Sequence, residues 1–285
     1  MFDVEERFPG RTPYVMAVTI LFAMVIAFHT GAVTADPATT EARMAYTKVG
    51  SGAPTVVLES GLGDGQETWA DLSRRLRDRY TVVTYDRPGY GHSSRTTGPR
   101  DPCTIAADLH QMLQAADIRP PYLLVGHSLG GLYQYAFAKL YPEDVAGAVL
   151  LDPTHPRHWE SMQRDAPSAA RLMRIMRATT FGPVVRAEFD QLSVCNARLD
   201  DARALEVPAS LLVSTRFQRV EGPEFQRMLG VLRQDWLRLS GAAVLQSIAS
   251  GHYIHRDAPG AVIEAIDSIA TRHGTGGMPS KSHHD

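Results

Sequence analysis

Two cysteines in 285 residues are too few for a fold built on a disulfide framework or for a cysteine-rich zinc site. Charge of one sign is missing as well. The 29 Lys and Arg nearly balance the 31 Asp and Glu, giving a net charge of −2. No basic stripe interleaved with aromatics stands out, which argues against nucleic acid as a partner. Of the eleven histidines, neither the pair in "THPRH" (His155, His158) nor the terminal "SHHD" has the neighbours a metal ion needs. No metal and no cofactor is therefore expected. The uncharged run Tyr14–Phe28 falls short of the about 20 residues that span a bilayer, and no internal repeat is visible.

What is present divides into two parts. "YVMAVTILFAMVIAF", followed by "HTGAVTA", suits the apolar core of an export signal, with Val33 and Ala35 as the small residues before a cleavage point at Asp36. The leader "MFDVEERFPGR" carries Asp3, Glu5 and Glu6 where such signals usually begin positive, so an uncleaved anchor is the other reading. Residues 1–35 are thus expected to be a signal peptide or membrane anchor, with residues 36–285 outside the cytoplasm, exported or membrane-attached. Oligomeric state is not legible.

From Arg43 onward, extended and helical patterns alternate. "RMAYTKVG", "PTVVLES", "YTVVTYD", "YLLVGHS" and "VAGAVLLD" read as strands, while "TWADLSRRLRD", "CTIAADLHQMLQAAD" and "LGGLYQYAFAKLY" have helical spacing. Val- and Leu-rich strands alternating with amphipathic helices call for a parallel sheet covered on both faces, an α/β fold. The rhythm breaks over about 153–205, a mostly helical insertion in which Trp159, Met162, Leu172, Met173, Met176 and Phe181 are candidates for helix packing or for the roof of a pocket. It resumes with the strand "VPASLLVS", the helix "EFQRMLGVLRQDWLRLS", the strand "AAVLQSIAS" and the helix "PGAVIEAIDSIATRH". About 274–285 reads as a disordered tail.

"LLVGHSLGGL" carries the chemistry. Gly126, Gly130 and Gly131 surround Ser128 where a strand meets a helix, which is the G-x-S-x-G elbow that lifts a nucleophilic hydroxyl to the edge of a sheet. Placed with "ESGLGDG", "YDRPGYGHS" and "SGHYIHRDAP" in this order, it makes the chain from Arg43 to His273 resemble the α/β-hydrolase superfamily, with the insertion where that family carries its cap. The resemblance implies a central, mostly parallel sheet, Ser128 as nucleophile and His252 as base, with His255 a rival. It also implies an oxyanion hole made by the backbone N–H groups of Leu62 and Leu129. His127, next to the nucleophile, is badly placed to serve it.

The acid departs from the family pattern. Phe217 stands in "LLVSTRFQRVEGPEF" where most members have Asp, and Glu221 and Glu224 come late. Some members take the acid from the end of the strand after the nucleophile helix, which here is Asp152 in "AVLLDPTHP". Asp152 is therefore the expected third member, with Glu221 and Glu224 as alternatives. The implied activity is hydrolysis of a carboxylic ester or related acyl bond through an acyl-enzyme, on an apolar, uncharged small-molecule substrate. A non-catalytic binding protein on the same fold, a carbon–carbon bond hydrolase and a cofactor-free peroxidase are the alternatives. In an oxidising compartment Cys103 and Cys195 can form one disulfide tying the insertion to the helix beneath it, or stay as two buried thiols.

Overall fold

A computed structural model describes residues 44–95, 97–199 and 203–276. The proposed signal or anchor therefore lies outside the described residues, as does 277–285 of the tail.

Among the described residues, seven strands form one sheet in the order β1-β3-β2-β4-β5-β6-β7. They are β1 (Tyr46–Val49), β2 (Thr55–Glu59), β3 (Thr81–Tyr85), β4 (Tyr122–His127), β5 (Val145–Leu151), β6 (Ala209–Ser214) and β7 (Leu245–Ile248). β1 runs antiparallel to β3, and every other pairing is parallel. Successive side chains of a strand face opposite ways, and the central strands are apolar at both parities. Val57, Leu124, Leu150 and Leu211 enter one core cluster, while Val56, Val125, Val149 and Leu212 enter the other. Such a sheet must be covered twice. On one face lie α2 (Pro102–Ala115), α3 (Leu129–Leu140) and α7 (Pro223–Ser240); on the other lie α1 (Ala70–Leu76), α8 (Ile254–Asp257) and α9 (Pro259–Gly276). Several ends follow from local chemistry. The Asp101 carboxylate accepts the N–H groups of Cys103 and Thr104 and caps α2, and α7 stops at Gly241 in the left-handed region (φ 67°).

The insertion forms α4 (His158–Asp165), α5 (Pro167–Thr179) and α6 (Pro183–Asp190). Met162, Ala166 and Ala170 pack with Met228 and Leu232 of α7 in a third cluster, which seats the cap on the domain. Three boundaries differ from the sequence reading. The helical expectation for "EFDQLSVCNARLDDARALE" fails after Asp190, where turns and one short 3-10 segment (Asn196–Arg198) take over. The last strand is only four residues long. The closing helix reaches Gly276, so the first residues assigned to the tail are helical. Among the cap residues, Met162 is buried and Trp159 and Phe181 pack edge-on against Phe189, at 5.0 and 5.7 Å between centroids. Leu172 is instead exposed, at 40%.

Candidate active site

The loops after β2, β4, β5 and β7 meet at the C-terminal edge of the sheet, where open α/β sheets place their ligands. Ser128 follows β4 directly. Its φ of 55° and ψ of −119° lie outside the regions that L-residues favour, a strained turn of the kind that persists only where the surroundings over-determine it. They do so here. The Ser128 N–H donates to Leu151 O at 3.0 Å, and its carbonyl accepts from Gly131 N at 3.0 Å and Thr154 N at 2.9 Å. The flanking glycines are a packing requirement. A β-carbon at Gly126 would stand 2.4 Å from Gly130 O, and one at Gly130 2.4 Å from Glu59 O.

Asp152 follows β5 and also takes a positive φ, 46°, a region Asp tolerates better than most residues. Its carboxylate gathers three donors. His252 Nδ1 is 2.8 Å from Oδ2, the Ser214 hydroxyl donates to Oδ2 at 2.7 Å, and Arg233 Nη2 donates to Oδ1 at 2.8 Å. Burial opposes ionisation, but the His252 contact, the Arg233 charge and the Ser214 bond together hold this carboxyl well below the usual range. An ionised carboxylate only accepts, so Nδ1 of His252 must be the donor, and the neutral ring then presents an unprotonated Nε2. For His252 burial works against the charged form, yet the Asp152 hydrogen bond and charge, helped by Glu221 and Asp64, raise its pKa above the ordinary imidazole value.

The two neighbouring histidines are engaged elsewhere. His255 is buried with Nε2 3.2 Å from Thr68 Oγ1 and its ring 4.2 Å from that of Trp69, and burial pushes its pKa down to about 3. His127 is also buried, and its Nε2 donates to the backbone carbonyl of His252 at 3.0 Å, linking the elbow to the histidine loop. Burial, with the neighbouring His252 and His255, keeps His127 uncharged. Of the alternative acids, Glu221 accepts from the N–H of Gln218 at 2.6 Å and Glu224 is exposed in the first turn of α7. Neither carries a hydrogen bond to His252 among the described residues.

Leu129 opens α3 immediately after Ser128, so its N–H belongs to the free donors at a helix start. The loop holding Leu62 lies against the elbow, since a β-carbon at Gly61 would stand 3.4 Å from Ser128 Cβ and 3.2 Å from His127 Nδ1. The structure thus collects Ser128, His252, Asp152, Leu62 and Leu129 at one sheet edge. Sequence reasoning missed Ser214 and Arg233. Arg233 has no local signature: it reaches Asp152 from the middle of α7, with its guanidinium carbon 5.4 Å from the ring centre of Phe217, the residue standing where an acid is usual.

Strand order, elbow and cap together define an α/β-hydrolase fold. The sequence matches the model of the alpha/beta hydrolase fold family over residues 54–192, and the chain has the α/β-hydrolase fold. It is 39% identical over 104 residues to YqjL of Bacillus subtilis, a stretch that is 36% of this chain and 41% of that protein. The chain thus spans about two fifths of the length of that relative. Among solved structures, a putative epoxide hydrolase from Pseudomonas aeruginosa superposes with a TM-score of 0.61 at 21% identity, covering 84% of this chain and 95% of that one. A thermophilic esterase from Thermogutta terrifontis gives 0.61 at 21% identity, covering 83% and 96%. At that identity the likeness concerns the fold.

Proposed function

We propose that the protein is a serine hydrolase that cleaves a carboxylic ester or related acyl bond through an acyl-enzyme. The observation that carries this reading is the 2.8 Å pairing of His252 Nδ1 with Asp152 Oδ2 on the sheet edge where the strained Ser128 emerges. In that reading His252 Nε2 takes the proton of Ser128 Oγ as the oxygen attacks the acyl carbon, and Asp152 stabilises the imidazolium that forms. The N–H groups of Leu62 and Leu129 receive the charge developing on the carbonyl oxygen. His252 then returns its proton to the leaving alkoxide, and a water molecule, deprotonated by the same nitrogen, releases the acid.

The nucleophile's identity separates this from epoxide or halide chemistry. Attack by a serine oxygen on an epoxide or alkyl halide would leave an ether, which water does not hydrolyse under these conditions. A carboxylate nucleophile would leave an ester, which it does. Ser128 therefore suits acyl transfer. A substrate that is apolar and uncharged is supported by the aromatic cluster of Trp159, Phe181 and Phe189 in the cap. Export, or anchoring with this domain outside the cytoplasm, is supported by the bond between Cys103 and Cys195, because such bonds persist in oxidising compartments. A fluorophosphonate probe tests the reaction class: it should label the wild type at Ser128 and leave Ser128→Ala unlabelled. A series of neutral esters of increasing acyl length, set against dicarboxylate and phosphorylated esters, tests the substrate class. Absence of labelling in folded wild type would sink the acyl-transfer reading, and faster turnover of the charged esters would sink the substrate assignment.

A further inference from the structure

Arg87, in "YDRPGYGHS", is almost fully buried (side chain 1% exposed) directly beyond β3. A guanidinium has five N–H donors, and the structure supplies five acceptor contacts. Nη1 donates to Glu59 Oε1 at 2.7 Å and to Ser60 O at 2.7 Å; Nη2 donates to Gly61 O at 2.8 Å and Glu188 Oε2 at 3.1 Å; Nε donates to Glu188 Oε1 at 2.9 Å. Glu188 belongs to α6 of the cap and is itself fully buried. It also accepts from Arg100 Nη2 at 2.7 Å and from Tyr90 Oη at 2.7 Å. Tyr90 Oη in turn accepts the N–H of Gly63 at 3.3 Å. Buried carboxylates and guanidinium groups are costly unless paired this completely.

These contacts bracket one residue. The carbonyls of Ser60 and Gly61 are held on one side of Leu62, and the N–H of Gly63 on the other. The Gly61 carbonyl and the Leu62 N–H belong to the same planar trans peptide unit and point in opposite directions. A cation that fixes the first therefore aims the second away from itself. It also polarises that peptide, which strengthens the N–H as a donor.

We propose that Arg87, held by Glu188 of the cap, is the positioning residue that aims and strengthens the Leu62 N–H, so that the oxyanion site is complete only when α6 is seated. This rests on the serine-hydrolase reading, and it assigns to the cap a role in the chemical step beyond shaping a pocket. Glu188 is held ionised: burial opposes the charge, but Arg87 and Arg100 outweigh it. Glu59, pushed up to about 7 chiefly by burial, is the weaker of the two anchors for Arg87.

The test uses Arg87→Lys, which keeps the charge but not the fork, and Arg87→Met/Glu188→Gln, which removes both charges together and takes one partner each from Glu59 and Arg100. Each variant is checked by melting temperature. Steady-state kinetics are then measured on a neutral ester, with inhibition by a trifluoromethyl ketone, which becomes a tetrahedral oxyanion adduct, and by a non-hydrolysable ether analogue, which does not. The loss of an oxyanion donor costs about 10²–10³ in kcat, so a misaimed one should cost about 10- to 100-fold in kcat with KM within about threefold. Ketone affinity should fall in parallel and ether affinity should not. A folded variant with unchanged kcat, or equal losses for both inhibitors, overturns the proposal. If neither Arg87 variant folds, Tyr90→Phe decides. It removes only the hydroxyl, and should lower kcat and ketone affinity together by about threefold to tenfold; unchanged values overturn the proposal. Wild type that the fluorophosphonate labels while the variants match it would refute this inference alone. Folded wild type that escapes the probe would refute the hydrolase reading as well.

Discussion

Removing the bond between Cys103 and Cys195 should lower the melting temperature substantially while leaving the rate at room temperature nearly unchanged. Cys103 lies at the start of α2 and Cys195 in the turns after α6, with 92 residues of separation and Cα atoms 6.0 Å apart. Both are buried, at 2% and 4% exposure, so the pair packs with or without the covalent bond and its effect falls mainly on the unfolded chain. For a loop of that length the chain-entropy relation gives about 4.6 kcal/mol at 25 °C, an upper figure because the reduced unfolded chain keeps some compactness. In a domain of this size roughly 2–4 °C of melting temperature correspond to each kcal/mol, so a fall on the order of 10 °C is expected. Calorimetry on the oxidised protein, on the fully reduced protein with thiols titrated, and on Cys103→Ala/Cys195→Ala would measure it, with ester turnover at 25 °C alongside. A fall of less than about 3 °C in both altered forms would refute the entropic argument. So would loss of turnover far below the melting point, since that would place the effect of the bond on the native cap.

Three further outcomes follow from the site. Ser128→Ala and His252→Ala should each abolish nearly all ester turnover, because the groups act as a unit, while Asp152→Asn should cost about 10³- to 10⁴-fold by disturbing the tautomer; a crippling Glu221→Gln with a mild Asp152→Asn would reverse the assignment of the acid. The base must be neutral, so kcat/KM should rise with pH as His252 loses its proton. With its pKa raised, that limb should lie to the alkaline side of ordinary imidazole, and a limb on the acidic side in a direct pH profile would contradict the pairing. Arg233→Gln takes a cation from Asp152 Oδ1, leaving the carboxylate a stronger attraction for the imidazolium, so the limb should move further up; a downward shift would show that Arg233 does not moderate Asp152.

The sheet, its helical cover and the elbow were legible because the signals behind them are local. Short continuous apolar runs such as Thr55–Glu59 and Tyr122–His127 encode strands buried on both faces, and three glycines around one serine encode a corner that no bulkier backbone neighbour could enter. The end of the cap was misjudged because apolar spacing in "EFDQLSVCNARLDD" mimics a helix, whereas the chain there turns so that Leu192, Cys195 and Leu199 can enter the main core. Composition shows two cysteines, but only the path of the cap brings them together. Likewise Phe217 in place of an acid reads as a gap in the sequence. In the tertiary structure Asp152 takes His252 from 100 residues away and Arg233 crosses from α7 to steady it. Arg87, buried with five donors to satisfy, finds its partners on β2, on the loop after it and on α6. Strand period and turn geometry are properties of neighbouring residues, so sequence alone determines them. The pairing of buried charges depends on which distant elements the folded chain brings into contact, and only the tertiary structure decides that.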